Sequence, residues 1–252
     1  MRICRYNEDK LGLVKGDQLI DVTVALDMVP PTRWPKTPGD AMITNLERIK
    51  LEIEANRKMG YVQGVKNVTL KSPVANPSKI IVAPTNYPDH IAEARADGAS
   101  NFGRDVGSIE DCGLFLKANS ALSGAGEGVT LGYTERHNDH QIELAIIIGH
   151  IAKNVPEADA LDYVAGYAIG LDITLRGVED RSLRTSLDSY AVLGPWITTA
   201  DEVAEELELQ LKPDVAAAVV PEAPEEAPEV VVVVPEPDPA LWEPFYGGLC
   251  DD

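Results

Sequence analysis

The sequence predicts an α+β fold built mainly from β-strands. Most apolar segments are short and are bounded by Gly, Asn, Asp or Pro, which is typical of strands. These strands outnumber the helical segments and do not alternate with them regularly, so a mainly β roll is favoured over a Rossmann or TIM architecture. With 252 residues, 44% of them hydrophobic and 25% charged, the chain is long enough for a buried core and has a globular composition.

The first 73 residues are predicted to form a small N-terminal α/β domain. The segment RICRYNEDKLGLVKGDQLIDVT is typical of short strands separated by polar turns. A helix is expected at about residues 45–59, because apolar residues recur at helical spacing and Gly60 can end it. The prolines within residues 72–77 predict a linker.

A core domain is expected over residues 78–210. Its predicted strands are Lys79–Ala83, Leu114–Lys117, Gln141–Ile148 and Gly166–Thr174, with helices around His90 and at Pro156–Tyr163, a polar insertion at 98–113 and a turn at Gly124–Gly128. The segment Ala145–Ile148 is apolar at consecutive positions, and we expect it to be buried on both faces.

Residues 211–252 form an acidic segment rich in Pro, Val and Glu. No Lys or Arg follows Lys212, and ten acidic residues do, so residues 1–212 carry only −9 of the net charge of −19. Frequent proline blocks helices and sheet ladders, and we therefore expect a disordered tail. Val230–Val234 is a β-prone exception.

Charge and composition exclude several classes of protein. A net charge of −19 disfavours binding to nucleic acid or to anionic lipid, because both require a basic surface. No apolar run reaches the roughly 18 residues of a membrane-spanning helix, and the first residues lack a signal-peptide core. The three cysteines are far apart, which argues against a disulfide framework or a zinc ribbon. A cytoplasmic protein is expected.

His90 and Glu93 are three residues apart on a predicted helical turn and therefore face the same way. In such a dyad the carboxylate orients the imidazole, which then moves a proton. The alternative is an ordinary pair on a surface helix.

Glu143 and Asp172 interrupt two apolar strands. A buried carboxylate is costly unless a cation or hydrogen-bond donors satisfy it, and two carboxylates suit Mg²⁺ or Mn²⁺. Gln141 shares a strand face with Glu143 and could add a neutral oxygen. The alternative is that Asp172 pairs with Arg176, four residues further on.

Two other motifs carry weaker signals. His137 and His140 are too few for a convincing transition-metal site, and loop residues before a strand are the better interpretation. The glycine-rich segment at 124–128 lacks the strand–loop–helix context of a dinucleotide site and is interpreted as a turn.

Five stretches carry a resemblance to a known family. They are NYPDHIAEA (86–94), LFLKANSALSG (114–124), DHQIELAIIIG (139–149), YVAGYAIGLDITLRGVEDRS (163–182) and SLDSYAVLGPWITTADE (186–202). In this order they resemble the fumarylacetoacetate hydrolase superfamily, in its bacterial diketo-acid branch. The resemblance implies a mixed β-roll or sandwich core behind a small N-terminal domain. The family's later core strands have no match after about residue 210, so the C-terminal part of the core is expected to be missing, through truncation or a frameshift.

The resemblance also implies site residues. The family's Glu-x-Glu pair and later Asp, which bind Mg²⁺ or Mn²⁺, fall on Gln141, Glu143 and Asp172, with Gln in place of the first Glu. Its acid–base dyad falls on His90 and Glu93.

Two cations are implied to neutralise substrate carboxylates, Lys117 and Arg176. A second lysine of the family is replaced here by Thr185, beside Arg184.

The implied activity is metal-dependent hydrolysis of a carbon–carbon bond in a small 2-oxo or diketo acid, of acylpyruvate or fumarylacetoacetate type, through a metal-stabilised enolate. A homodimer is implied as well. The same enolate serves isomerases and decarboxylases, which stay open as alternatives, as does a non-catalytic relative. An interaction module acting through the acidic tail is the least specific hypothesis.

Overall fold

The computed structural model describes residues 1–36, 38–84, 109 and 113–211, with side chains as far as residue 205. The predicted helix around His90 and Glu93, almost all of the polar insertion and the acidic tail lie outside the described residues. Residues 1–203 form one compact unit, and the second unit, 204–252, is described only as far as Leu211.

Eleven strands are described. They are β1 (Arg2–Tyr6), β2 (Lys10–Lys15), β3 (Gln18–Asp21), β4 (Val62–Gly64), β5 (Leu70–Lys71), β6 (Ile80–Val82), β7 (Phe115–Lys117), β8 (Leu122–Gly124), β9 (Asn138–Ile148), β10 (Val164–Leu175) and β11 (Ala191–Thr199). The α-helices are α1 (Ala41–Thr44), α2 (Leu46–Asn56), α3 (Arg181–Thr185) and α4 (Ala200–Leu211). Four 3-10 helices lie at Thr23–Met28, Val65–Asn67, Asn119–Ala121 and Glu157–Tyr163.

Nine of the strands form one sheet in the order β4-β3-β2-β1-β11-β10-β9, with β5 beside β1 and β8 parallel to β11. β6 and β7 form a separate antiparallel pair. The predicted mainly β architecture is confirmed. Within the described ranges, no helix combines the length and the apolar character needed to cross a membrane.

The N-terminal segment follows the sequence pattern closely. β1, β2 and β3 form a meander, and α2 covers it with the buried side chains of Leu46, Ile49 and Ile53. The expected helix ends at Asn56, and a Cβ on Gly60 would lie 2.2 Å from the carbonyl oxygen of Asp21, so glycine is required where the chain passes β3.

The sheet connects the two predicted domains. β1 pairs with β11, with Ile3 opposite Ile197. The buried carboxylate of Asp40 caps α1 and also accepts hydrogen bonds from the backbone N–H groups of Ala75 and Asn76, at 2.6 and 3.1 Å. Because one sheet can run through two folding units, the expected boundary between residues 73 and 78 stays a prediction.

β9 differs from its prediction. The strand is present, but it lies at one end of the sheet and its apolar residues are not buried on both faces. Ile142, Leu144, Ile146 and Ile148 are 43–55% exposed, whereas Ile147 on the opposite face is buried. The expectation was wrong because consecutive apolar residues do not reveal whether a strand is central or at an edge, and only β10 pairs with β9 among the described strands.

The remaining predicted elements are present with changed bounds. The strand from Gly166 extends over Val164–Leu175, and the turn at 125–127 follows β8 as expected. The helix predicted at Pro156–Tyr163 is a 3-10 helix without buried residues, so no apolar face holds it to the core.

Candidate active site

The register between β9 and β10 brings three predicted site residues together. Gln141 lies opposite Asp172, and Glu143 lies opposite Gly170. Directly opposed residues share a sheet face, and so do residues two apart on one strand. Gln141, Glu143 and Asp172 therefore occupy one face of the sheet, and the exposed apolar residues of β9 occupy the other.

Lys117, from β7, is a buried cation that contacts this face. It is 4% exposed, and its Nζ donates to Oδ1 of Asp172, to the carbonyl oxygen of Tyr190 at 2.6 Å and to that of Ile173 at 3.4 Å. Burial lowers the pKa of Lys117, while the carboxylates of Asp172 and Glu143 act in the opposite direction. All three donors of the ammonium group are thus directed to protein oxygens, and Lys117 neutralises Asp172.

Glu143 shares this environment without a hydrogen-bonded cation of its own among the described side chains. The pKa of its carboxyl is raised to about 7, mainly by burial and also by the negative charge of Asp172, while Lys117 offsets part of the effect. When both carboxyl groups are ionised, they carry one negative charge more than the ammonium group of Lys117 offsets, and a divalent cation would neutralise that excess.

The donor set fits a hard divalent cation. Two carboxylates and one amide oxygen are the ligand types that Mg²⁺ and Mn²⁺ prefer. Across the part of the chain that the structure describes, no three His, Cys, Asp or Glu side chains gather as a metal-binding group, in keeping with the Gln at position 141. We therefore expect a site with a lower charge, and a weaker hold on the ion, than three carboxylates would give.

Arg176 follows β10 and contacts Asp139 rather than Asp172. Its Nε donates to Oδ2 of Asp139, and Nε2 of His137 lies 2.7 Å from Oδ1 of the same carboxylate. The alternative pairing of Asp172 with Arg176 is therefore wrong. Sequence reasoning passed over Asp139, although its position two residues before Gln141 places it on the site face.

A second arginine holds the backbone beside Arg176. Arg136 donates to both carboxylate oxygens of Glu179, at 2.9 and 2.8 Å, and to the carbonyl oxygen of Arg176 at 2.9 Å. The hydrogen bond from Arg136 lowers the pKa of Glu179 to about 2. A Cβ at Gly177 would lie 1.9 Å from Nη2 of Arg136, so a larger residue here would displace the end of the Arg136 side chain.

The residues at the position of the family's second lysine have other partners. Oγ1 of Thr185 donates to the carbonyl oxygen of Arg181 within α3, at 2.9 Å. Arg184 is buried, and its Nε donates to the carbonyl oxygen of Glu179 at 2.9 Å. Its hydrogen bonds to backbone carbonyls therefore hold the loop after β10.

His90 and Glu93 lie outside the described residues, so their dyad stays a prediction. His140 is exposed within β9, opposite Ile173, on the face away from Glu143.

Comparison with known proteins gives consistent matches. The model of the family described as "Fumarylacetoacetate (FAA) hydrolase C-terminal" matches residues 79–225. A maleylpyruvate hydrolase of Aquipseudomonas alcaligenes is 51% identical over 215 residues, which are 84% of this chain and 74% of that protein. An oxaloacetate tautomerase of Xenopus laevis is 27% identical over 203 residues, which are 77% of this chain and 58% of that protein.

A solved structure has the same fold. The crystal structure of maleylpyruvate hydrolase from Sphingobium sp. SYK-6, in complex with manganese(II) and pyruvate, aligns with a TM-score of 0.62 and 36% identity. The alignment covers 80% of this chain and 68% of that one.

Proposed function

Because the chain belongs to the fumarylacetoacetate hydrolase family, we propose that it is a metal-dependent hydrolase that cleaves a carbon–carbon bond of an acylpyruvate. The observation that carries the proposal is the partly buried sheet face on which Glu143 and the buried Asp172 lie near the ammonium group of Lys117. The 51% identity to a maleylpyruvate hydrolase, over most of both chains, supports an acylpyruvate as the substrate class.

Gln141, Glu143 and Asp172 are the residues that would hold Mg²⁺ or Mn²⁺. When bound, the cation supplies positive charge beside the oxygen atoms on which negative charge develops during cleavage. Lys117 pairs with Asp172 and holds its carboxylate in place, and Arg176 binds a substrate carboxylate.

The reaction adds water across one bond. The water oxygen attacks the acyl carbonyl carbon, and the bond from that carbon to the neighbouring methylene group breaks. The acyl group leaves as a carboxylic acid, and the methylene carbon receives a proton to give pyruvate. We assign the proton transfers to His90, oriented by Glu93, from the resemblance to the family.

Isomerisation and decarboxylation of 2-oxo acids develop negative charge on the same kind of oxygen atoms as the proposed cleavage does. The likeness to an oxaloacetate tautomerase makes oxaloacetate the second substrate to test. A homodimer and a cytoplasmic location complete the proposal on the strength of the family resemblance.

Turnover of maleylpyruvate, acetylpyruvate and oxaloacetate with Mn²⁺ tests the function. We expect pyruvate to be released from the acylpyruvates, with a loss of at least about 100-fold in Asp172→Asn, because this substitution removes a proposed ligand and the charge that Lys117 neutralises. Calorimetry with Mn²⁺ alone should show binding to the native chain and not to the variant. Metal binding without any turnover would indicate the non-catalytic relative, and conversion of oxaloacetate alone would indicate a tautomerase.

A further inference from the structure

We propose that Asp139 is a positioning residue that orients the guanidinium group of Arg176 toward the second carboxylate of a dicarboxylic acylpyruvate. The inference rests on the proposed hydrolase function and deepens it, because it names the kind of acylpyruvate that the site selects.

Asp139 is held from both sides. Oδ2 accepts from Nε of Arg176, and Oδ1 lies 2.7 Å from Nε2 of His137, so each oxygen has its own partner and the carboxylate is fixed in rotation. The side chains of Arg176 and Asp139 are only 23% and 25% exposed, which shields their ion pair from water. Among the described contacts this bond uses Nε, which leaves the Nη edge of the guanidinium to face a ligand carboxylate bidentately.

The backbone of Arg176 is fixed as well. Arg136 donates to its carbonyl oxygen at 2.9 Å and is itself held by two hydrogen bonds to Glu179. Gly177 has no Cβ, which leaves space for the guanidinium group of Arg136 at the carbonyl oxygen of Arg176. Both ends of Arg176 are therefore restrained before any ligand arrives, which reduces the entropy lost on binding.

The neighbouring cations have other tasks. Lys117 directs its three donors to Asp172 and two backbone carbonyl oxygens. Arg184 donates to the carbonyl oxygens of Glu179 and Leu175. Of the cations that the structure describes on this face of the sheet, Arg176 is therefore the one we assign to a substrate carboxylate.

The spacing along β9 defines the substrate. Asp139 stands two residues before Gln141 on the same face, and a strand rises by about 3.4 Å per residue. The position of Asp139, which holds Arg176, is thus about 7 Å along the strand from Gln141, the nearest proposed metal ligand on β9. A short diacid chain bridges this distance and a methyl group does not, so we infer that the acyl group ends in a carboxylate.

The test compares two substrates in Asp139→Asn. Maleylpyruvate carries the second carboxylate, and acetylpyruvate lacks it. The variant should raise KM for maleylpyruvate by about tenfold or more, because Asp139 no longer orients the guanidinium group of Arg176. The kcat for maleylpyruvate and both kinetic constants for acetylpyruvate should stay within about twofold of the native values. Asp159→Asn, an exposed carboxylate on the 3-10 helix, is the matched control and should change neither.

A double variant distinguishes positioning from stability. The variant Arg176→Lys lacks the guanidinium group that Asp139 orients. Adding Asp139→Asn to this variant should therefore raise its KM for maleylpyruvate by less than about twofold. Additive losses in the double variant, or equal losses with both substrates, would assign Asp139 a structural role and overturn the proposal.

Binding without turnover provides an independent test. Calorimetry should show that maleate binds the native protein about tenfold more tightly than it binds Asp139→Asn, while pyruvate binds both alike. If the native protein hydrolyses neither substrate, the proposed function fails, and the maleate comparison alone decides the positioning. Equal maleate affinity in the two proteins would refute it.

Discussion

Lys117 shows how one buried contact can decide the role of a residue. A lysine in this strand was expected to bind the substrate, yet its ammonium group is enclosed by one carboxylate and two backbone carbonyl oxygens. Placing a charge in this environment is costly, and the geometry compensates for it only because every donor has an acceptor. The residue therefore stabilises the face of the sheet that carries the proposed metal ligands.

Replacing Lys117 with Met should destabilise the chain by about 3–5 kcal/mol, because it leaves the carboxylate of Asp172 buried without its cation. Urea unfolding measures the loss, with Lys153→Met, at an exposed position, as the control. Added Mn²⁺ should restore part of the stability, since it supplies the missing positive charge. A variant as stable as the control would contradict the assigned role.

Gln141→Glu tests the metal site from the opposite side. A third carboxylate beside Glu143 and Asp172 should increase the affinity for Mn²⁺ by about tenfold, because affinity rises with the charge of the ligand set. Without metal the same variant should be less stable than the native chain, since like charges then crowd a buried face.

Calorimetry measures the affinity of Gln141→Glu for Mn²⁺, and urea unfolding without metal measures its stability. Gln18→Glu, at an exposed position of β3, adds the same charge elsewhere and should change neither. An unchanged affinity in Gln141→Glu would remove Gln141 from the proposed ligand set.

At the scale of elements, β9 separates what local sequence can and cannot reveal. Its alternation placed Gln141 and Glu143 on one face, as the structure has them. The pattern did not reveal that β9 ends the described sheet, because sheet order depends on pairings between residues distant in the chain. Strand formation is largely local, whereas burial of a strand is a property of its neighbours.

Two neighbouring substitutions test the edge position of β9. Ile146→Lys should change the free energy of unfolding by no more than about 0.5 kcal/mol, because this side chain is 54% exposed. Ile147→Lys should cost more than about 3 kcal/mol, since Ile147 packs with Ile43, Val74 and Ile197. Urea unfolding compares the two variants. Equal losses of stability in the two variants would mean that the face of β9 that carries Ile146 is covered in solution.

At the scale of the whole molecule, the contacts that assemble the candidate site join residues that are far apart in the sequence. Lys117 meets Asp172 across 55 residues, and Arg176 meets Asp139 across 37. The mainly β class and the proposed ligands followed from strand periodicity and motif order. The ion pairs could not be predicted, because they depend on the register between β9 and β10 and on where the β6–β7 pair lies against them.

Another long-range pair connects α2 to the first turn of α4. Nζ of Lys50 lies 2.8 Å from Oδ2 of Asp201. Burial acts to raise the pKa of Asp201, but hydrogen bonds from Lys50 and Thr199 outweigh it and lower the pKa from 3.8 to about 2. A carboxylate with a lower pKa in the folded chain stabilises the fold above its unfolded pKa, and this contribution disappears as the pH falls through the folded value.

Acid unfolding should therefore reveal Asp201. At pH 6 we expect Asp201→Asn to be less stable than the native chain by roughly 0.5–1 kcal/mol, a small loss because the side chain is 53% exposed and solvent screens the pair. As the pH falls from about 4 toward 2, protonation of the native carboxylate should bring the two curves together. Other carboxylates titrate in the same range, so the informative quantity is the difference between the two proteins, measured by urea unfolding at each pH. A difference between Asp201→Asn and the native chain that stays constant with pH would mean that the ion pair contributes nothing to the fold.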